Sequence, residues 1–306
     1  MKLYELPFLG IEEPFSDFTK SAVALLPVPY QGGVSYGTGA EKAPRAIVAA
    51  SQQVELYDEL LNFEPYRVGI STLAEPDIPE KPDRMIERVY RSVYTLLQHK
   101  KWIGIIGGDH SISSGTFRAL KEYGGTLSAI HIDAHADLRH SYEDSIFSHA
   151  SVMARIREMT SHTLHLGIRS MCREEAELIK DQDIPVITMH KYRSGEFNLD
   201  AALEELPDPV FLTFDVDALD FSVVSATGTP EPGGFRWYEI LSLLERIFQR
   251  KNVIGFDVVE LAPTETDRNS SFAVAKLVYK IIGFKTFYHE NQSLVELERP
   301  IGSLFL

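Results

Sequence analysis

Short apolar runs alternate with amphipathic stretches along almost the whole of this chain. The runs are rich in Ile, Val, Leu and Phe and do not alternate cleanly with polar residues, which is typical of strands covered by helices on both faces. We predict seven strands, at Ala22–Pro27, Trp102–Ile106, Leu127–Ile132, Thr163–Ile168, Pro185–Met189, Val210–Asp215 and Val253–Val258. We predict seven helices, at Pro44–Leu60, Pro82–His99, Ser113–Glu122, Ser148–Glu158, Arg173–Asp181, Trp237–Arg250 and Ser271–Ile282.

The regular alternation of strands and helices predicts the fold class. We expect a three-layer α/β/α fold whose central, mostly parallel, doubly wound sheet lies between two layers of helices. No internal repeat, low-complexity tract or long linker interrupts the pattern, so residues 1–306 should form a single domain. Folds of this class bind their ligands just beyond the carboxyl ends of the strands.

Composition and charge exclude several classes of protein. No stretch approaches the roughly 20 apolar residues of a membrane helix, and the N-terminus lacks the features of a signal peptide. The single cysteine, Cys172, excludes an intrachain disulfide, so we expect a cytoplasmic enzyme. The formal net charge of −14 argues against nucleic acid or an anionic membrane as a partner. It is compatible with a cationic substrate.

Acidic and imidazole side chains gather where the predicted strands end. The segments are Gly107–Ser111 (GGDHS), Asp133–Asp137 (DAHAD), Asp215–Asp217 (DVD) and the single residue Glu260. Alternate side chains of extended backbone point the same way, so the acids within a segment can share one face. A buried cluster of carboxylates is unstable unless a cation occupies it. The strand ends therefore predict a metal site.

Three of these segments together offer four carboxylates and two imidazoles. The candidate metal ligands are His110, Asp133, His135, Asp137, Asp215 and Asp217. An oxygen-rich set of this size suits two divalent ions, with Mn²⁺ favoured over Mg²⁺, Fe²⁺ and Co²⁺. Structural zinc sites normally use cysteine, which is absent here. Two ions about 3.5–4 Å apart activate a water molecule and polarise a substrate, so we expect a hydrolase.

These segments resemble the motifs of the arginase/agmatinase (ureohydrolase) family, and of bacterial and archaeal agmatinases most of all. Ile105–Ile112 is similar to the first motif, Asp133–Asp137 to the second, and Thr213–Asp220 with Gly228–Gly234 to the third. Weaker similarity over most of the chain is found at Pro27–Tyr30, Gly37–Ala40, Ala43–Ile47, Leu166–Ser170 and Val259–Pro263. The chain departs from the family pattern at Asp220-Phe221, where Asp-Pro is usual, and at Ser225-Ala226-Thr227.

The resemblance implies a role for each candidate ligand and a pair of manganese ions per subunit. Asp133 and Asp215 would bridge the ions, with His110 and Asp137 completing one site and His135 and Asp217 the other. A hydroxide bridging the two ions would attack the guanidinium carbon of the substrate, and the products would be urea and an amine.

The resemblance also implies two catalytic residues outside the ligand set. Glu260 would hold the guanidinium by charge-assisted hydrogen bonds, and His149 would pass a proton to the leaving amine. Alternatively, Glu260 could be a buried acid in an ion pair, and His149 could be a surface histidine at the start of a helix. We expect His131 and His165, which lie within apolar strands, to be core or supporting residues, and Asp109 to orient a ligand.

The loop Leu138–Ser148 should overhang the site and select the substrate. Glu143 or Asp144 could receive the distal cation of agmatine, whereas Arg139 would suit the carboxylate of guanidinobutyrate or formiminoglutamate. The likeness of the flanking segments to agmatinases favours agmatine, which would give putrescine and urea in polyamine biosynthesis. Aminopropylagmatine is the nearest alternative, ahead of arginine. The family also implies a homotrimer or homohexamer.

Two other classes of protein share part of this pattern. Binuclear metallophosphatases also use Asp-x-His segments, but they need Gly-Asp-x-x-Asp and Gly-Asn-His-Asp/Glu, which this chain lacks. A guanidino-binding protein without activity would be expected to have lost a metal ligand, and none is lost here. Hydrolysis remains the favoured interpretation.

Overall fold

The computed structural model describes residues 1–33 and 36–290. Within them lie eight strands: β1 (Val23–Val28), β2 (Ile70–Thr72), β3 (Trp102–Gly107), β4 (Ser128–Ile132), β5 (Thr163–Ile168), β6 (Val186–Thr188), β7 (Val210–Asp215) and β8 (Val253–Val259). The α-helices of this part are α1 (Ala43–Ser51), α2 (Pro82–Gln98), α3 (Ser113–Gly124), α4 (Val152–Arg157), α5 (Arg173–Asp181), α6 (Met189–Ser194), α7 (Leu199–Glu205), α8 (Trp237–Arg250) and α9 (Arg268–Lys285). Short 3-10 helices lie at Phe8–Gly10, Ala40–Lys42, Pro65–Val68, His110–Ile112, His149–Ser151 and Val216–Ala218, and a π-helical turn at Thr286–Glu290.

All eight strands join one sheet in the order β2-β1-β3-β8-β7-β4-β5-β6. Every pairing between neighbouring strands is parallel. The predicted α/β/α class is therefore confirmed, with a sheet that is parallel throughout the described residues. Residues 34–35 and 291–306 of the expected single domain lie outside that part, so its full extent stays a prediction.

Two hydrophobic cores cover the two faces of the sheet. In β1, alternate residues point into opposite cores: Val23 and Leu25 face one, and Ala24 and Leu26 face the other. Helices α1, α8 and α9 pack on the first face, and α2, α3 and α4 pack on the second. Burial on both sides explains why the strands lack a polar face. None of the helices in the described residues is long and apolar enough to cross a membrane.

One predicted helix is too long. Pro44–Leu60 ends as a helix at Ser51, because Asp58 turns inward and accepts the backbone N–H groups of Leu60 and Leu61. A buried ion pair, 2.8 Å long, joins the same carboxylate to Lys280 of α9. Local side-chain bonds and a distant partner therefore override the apolar periodicity of residues 52–60.

Three short elements were not predicted. Strand β2 has only three residues, and helices α6 and α7 have six and seven. Both helices carry a cap that the sequence displays: Thr188 accepts the N–H of Lys191, and Asn198 accepts that of Ala201. The predicted strand Pro185–Met189 accordingly stops at Thr188, where the cap begins α6.

Candidate metal centre and substrate cleft

The predicted ligands and Glu260 are delivered by four strands that are neighbours in the sheet, β3, β8, β7 and β4. His110 follows β3, the segment Asp133–Asp137 follows β4, and Asp215 and Asp217 close β7. Glu260 follows β8, between them. Because all four strands run the same way, their carboxyl ends meet at one edge and bring together residues up to 150 positions apart.

A tight turn after β3 brings His110 into the cluster. A Cβ atom on Gly108 would lie 2.1 Å from the carbonyl oxygen of Tyr30, so only glycine allows this approach. The Nδ1 atom of His110 lies 3.2 Å from Oδ2 of both Asp133 and Asp137, and 3.3 Å from Oδ2 of Asp215. Three carboxylates thus converge on a single imidazole nitrogen.

The other nitrogen of His110 is held from behind. Its Nε2–H donates to the hydroxyl of Thr213 at 2.9 Å, and that hydroxyl donates to Asp257 at 2.7 Å. The hydroxyl proton is directed at Asp257, so the imidazole proton must reside on Nε2. In the neutral ring, which is the form in which histidine binds a metal, the lone pair of Nδ1 then faces the carboxylates.

A second group forms around His135. Its Nδ1 lies 2.9 Å from Oδ2 of Asp217 and 3.6 Å from Oδ1 of Asp133. Backbone amides orient these acids: Asp133 accepts the N–H of His135 at 2.6 Å, and Asp217 accepts that of Ala134 at 3.1 Å. Asp215 accepts the N–H of Asp217 at 2.8 Å. Asp133 is the residue common to both groups.

Burial and neighbouring charges act in opposite directions across the cluster. Burial, together with the carboxylates of Asp217 and Asp133, raises the pKa of Asp215 well above its ordinary value. Burial also opposes ionisation of Asp133, but the imidazoles around it, His131 foremost, hold its pKa well below the ordinary range. Burial opposes protonation of His135, yet Asp133 and Asp217 raise its pKa to about 12. Without a metal ion, protonated imidazoles are the cations that compensate the buried acids.

The donor set fits a divalent metal site. Two groups of potential ligand atoms lie within 4.8 Å of one another: His110, His131, Asp133 and Asp137 in one, and Asp133, His135 and Asp217 in the other. The buried Nδ1 of His110 has no hydrogen-bond partner among the described residues. A cation between it and the carboxylates would remedy that and compensate the buried charge. In the first group, Nε2 of His131 is already committed to Asp133 at 2.8 Å.

The residues expected to act on substrate line a cleft of about 630 Å³ beside the cluster. Glu260 lies at its floor, where Oε1 accepts the backbone N–H of His110 at 2.7 Å. Burial and the nearby Asp109 raise the pKa of Glu260 well above its ordinary value. His149 lines the same cleft, with its ring packed edge-on against Tyr142 at 5.7 Å.

The loop predicted to overhang the site contains a small hairpin. Tyr142 and Ser145 exchange two backbone hydrogen bonds of 2.9 and 3.0 Å. Glu143 and Asp144 form its exposed tip, with left-handed φ angles of 47° and 60°. Arg139 and Tyr142 line the cleft, with the guanidinium 5.4 Å from the ring centroid. The loop thus presents both of the charges considered for the substrate tail, the acids at the hairpin tip and the guanidinium of Arg139 in the cleft.

Sequence reasoning missed residues that support the cluster. It passed over Thr213 and Asp257, although Thr213 stands two positions before Asp215 on the same strand face. It also passed over Arg169, which donates to the backbone carbonyls of Asp217 at 2.6 Å and Glu231 at 2.8 Å. A buried threonine or aspartate inside an apolar strand was the available signal.

Asp109 acts through the backbone. One carboxylate oxygen accepts the N–H of Ser111 and the other that of Gly33, each at 2.8 Å. The residue therefore caps the turn that carries His110 and anchors the segment before residue 34. This is a less direct role than the expected one of orienting a ligand side chain.

Comparison with known proteins agrees with this geometry. Residues 21–283 match the model of the Arginase family. An N(1)-aminopropylagmatine ureohydrolase of Synechocystis sp. is 38% identical over 282 residues, which cover 89% of this chain and 92% of that protein. An agmatinase of Pyrococcus horikoshii is 30% identical over 288 residues, covering 92% and 99%. Among solved structures, the agmatine ureohydrolase of Thermoplasma volcanium aligns with a TM-score of 0.81 and 27% identity, over 90% of this chain and 93% of that one. The chain belongs to the arginase family.

Proposed function

We propose that this arginase-family hydrolase cleaves a guanidino compound with a cationic polyamine tail into urea and the corresponding amine. The observation that carries the proposal is the convergence of three carboxylates on Nδ1 of His110, at the carboxyl ends of central strands. It accounts for the buried acids and places them beside a cleft of substrate size.

The six predicted ligands would hold two divalent ions, with manganese favoured by the oxygen-rich donor set. Asp133 is suited to a shared role because its two oxygens face the two imidazole groups, Oδ2 toward His110 and Oδ1 toward His135. When bound, such ions supply Lewis acidity and a water molecule of lowered pKa. Those are the two requirements for adding water to an unreactive guanidinium carbon.

Glu260 would receive the guanidinium. Its Oε1 is fixed by the His110 amide, and it lies between the strands that carry the metal ligands. A carboxylate forms charge-assisted, often paired hydrogen bonds with the planar guanidinium group. Holding that group in one orientation sets the carbon at the distance and angle that attack requires.

His149 would pass a proton to the departing nitrogen. Cleavage of the carbon–nitrogen bond leaves an amine that must gain a proton, while the added water contributes the oxygen of urea. The histidine lines the cleft together with Glu260, at the start of a short 3-10 helix. The helix that follows, α4, donates from the N–H groups of Met153 and Ala154 to the backbone carbonyl of Asp137. An imidazole can both accept and donate a proton, which is what such a transfer needs.

The charges lining the cleft favour a cationic tail. Two divalent ions would be compensated by the four carboxylates of the cluster, whereas Glu260 in the cleft and the exposed Glu143 and Asp144 at the hairpin tip would keep their negative charges. Arg139 is the one lysine or arginine among the described residues that line the cleft. A substrate ending in a carboxylate would therefore meet a mainly negative surface.

The choice between two cationic substrates rests on relatedness. A relative named as an N(1)-aminopropylagmatine ureohydrolase is 38% identical, against 30% for the agmatinase, which favours aminopropylagmatine. Agmatine, the substrate favoured by the motifs, is the second candidate.

The test is urea release by the manganese-loaded protein. We expect the highest kcat/KM with aminopropylagmatine, a lower value with agmatine, and little turnover of guanidinobutyrate or arginine. No urea from any of them would overturn the proposal, and a preference for a carboxylate tail would overturn its substrate class. Turnover of an aryl phosphate would indicate a phosphatase, and tight agmatine binding without urea a non-catalytic protein.

A further inference from the structure

A row of buried polar side chains crosses the sheet one step below the metal centre. Asp257 of β8 pairs in register with Thr213 of β7, which pairs with His131 of β4, which pairs with His165 of β5. All four side chains are 0% exposed. Successive members of such a row point to the same face, and Asp133 stands two residues beyond His131 on that face. The row therefore lies directly beneath the ligand layer.

Two members of this row, His131 and His165, connect Asp133 to the protein surface by hydrogen bonds. His131 Nε2 lies 2.8 Å from Asp133 Oδ2, and its Nδ1 lies 3.0 Å from Nδ1 of His165. His165 Nε2 lies 3.2 Å from the hydroxyl of Thr163, which accepts from Arg157 at 2.8 Å. We call this set the supporting chain; its members are Arg157, Thr163, His165 and His131.

The hydrogen bonds of the supporting chain have one consistent direction from donor to acceptor. Arginine only donates, so Thr163 accepts from Arg157 and must direct its own hydroxyl proton elsewhere. The nearest acceptor is Nε2 of His165, which places the proton of that imidazole on Nδ1. Burial lowers the pKa of His165 well below its usual value, so the ring is neutral and carries one proton.

The same order of donors and acceptors continues from His165 to Asp133. His165 donates from Nδ1 to Nδ1 of His131, and His131 donates from Nε2 to Oδ2 of the carboxylate. Every donor and acceptor along the path is used once, in a region where an unsatisfied group is costly. With the opposite direction, the hydroxyl proton of Thr163 would have no acceptor in the chain.

We propose that the supporting chain positions the Asp133 carboxylate for metal binding. The proposal rests on the proposed function, in which Asp133 is the ligand shared by both ions. By fixing the donor at Oδ2, the chain orients the carboxylate plane, and the His135 amide fixes Oδ1 from the other side. Thr213 and Asp257 support His110 in the same way, so the polar row supports the centre at two points.

Thr163 offers a conservative test at a distance from the ligands. Thr163→Val keeps the shape and β-propensity of the side chain but removes the hydroxyl, so His165 loses the partner that sets its proton. We expect manganese affinity, measured by competition with a chelator, to fall about 10- to 100-fold. Thr163→Ser restores the hydroxyl and should restore the affinity.

A matched control is Thr116→Val on α3. This threonine is also buried, and its hydroxyl has no hydrogen-bond partner among the described residues. We expect the substitution to leave metal affinity unchanged. The proton position on His131, read from imidazole ¹⁵N shifts of the metal-free protein, should change in Thr163→Val and in neither of the other variants.

Several outcomes would overturn the proposal. Unchanged manganese affinity in Thr163→Val would overturn it. So would an equal loss of manganese affinity in Thr163→Val and Thr163→Ser, if that loss runs parallel to a loss of thermal stability. If Thr163→Val does not fold, Arg157→Met is the second variant, because it removes the donor at the surface end of the supporting chain. Unchanged manganese affinity in Arg157→Met would also contradict the proposal. Wild-type protein that binds two metals but releases no urea would refute the proposed function while leaving the supporting chain intact.

Discussion

The candidate metal centre and the hairpin above it are held in place by different means. At the centre, the candidate ligands follow β3, β4 and β7, and four of them, His110, Asp133, Asp215 and Asp217, are tied to backbone amides or to the polar row beneath them. The hairpin Tyr142–Ser145 closes with two backbone bonds and presents its two acids to solvent. We therefore expect the chemistry to depend on the core of the sheet, and substrate choice to depend on a surface loop that can change without disturbing that core.

Left-handed backbone occurs in both regions, for different reasons. Asp137 and Glu260, at the centre, have φ angles of 53° and 65°, and buried contacts around them fix these conformations. Each such residue costs on the order of 1–3 kcal/mol and persists only where its surroundings impose it. At the hairpin tip, a two-residue turn itself requires positive φ at both positions. Strain at the centre is thus imposed by the site, and strain at the tip by the turn.

The largest effect should come from Asp133→Asn. The change keeps the shape of the side chain but removes the charge shared by the two groups of ligands. We expect bound manganese to fall from two ions toward none, and urea release to fall by at least about 10³-fold, since Lewis-acid stabilisation is worth several kcal/mol. Metal analysis after dialysis measures the first. Asp181→Asn on exposed α5 is the control, and retention of two ions by Asp133→Asn would contradict the shared role.

Glu260→Gln should separate substrate binding from metal binding. The amide oxygen can still accept the His110 N–H, so the metal centre should persist. The charge opposite the guanidinium is lost, and we expect kcat/KM to fall about 100-fold through misplacement of the substrate. Steady-state kinetics and metal content together test this, with the exposed Glu265→Gln as control. A loss of metal in Glu260→Gln would make this residue part of the centre.

Metal removal should reverse the pH dependence of stability. In the metal-free protein, the pKa of His135 is raised to about 12, so its stabilising contribution is complete below about pH 6.5 and is lost as pH rises toward 12. Metal binding needs neutral imidazoles and strengthens with pH. We expect the Tm of the chelated protein to fall as pH is raised from 6 to 9. Over the same range, the rise in Tm caused by added metal should become larger. Parallel curves with and without metal would contradict a site built from these imidazoles.

The difference between the two regions also decides what the sequence could predict. The six candidate ligands could be predicted to lie together because strand ends in a parallel sheet converge. Acids at such a place also need a compensating cation. The support by Thr213 and Asp257 was not found, because it depends on the register between strands that are 40 or more residues apart in the chain. Register is a property of the folded sheet, and a single sequence does not display it.

The errors in the fold have a similar cause. Long apolar elements such as β3, β7 and α8 were predicted to within a residue because burial on known faces determines them. The overlong helix after Pro44 failed at Asp58, whose partner Lys280 is 222 residues away. The short elements β2, α6 and α7 carry too few residues for a periodic pattern, and their packing on the sheet stabilises them.

The smallest effect, and the most informative about the hairpin, should come from the double variant Glu143→Gln and Asp144→Asn. Both acids are exposed, so each is worth only about 0.2–1 kcal/mol to a bound cation, or roughly a 2- to 30-fold loss for the pair. We expect kcat/KM to fall by that factor for aminopropylagmatine and by less for agmatine, whose shorter tail places one ammonium fewer near the tip. The loss should shrink as salt is added, because exposed charges are screened.

The matched control for the hairpin is the double variant Glu204→Gln and Glu205→Gln, on α7 near the amino ends of the strands. A loss of equal size for both substrates would show that the hairpin acts on the metal centre instead, and the two regions would then not be independent.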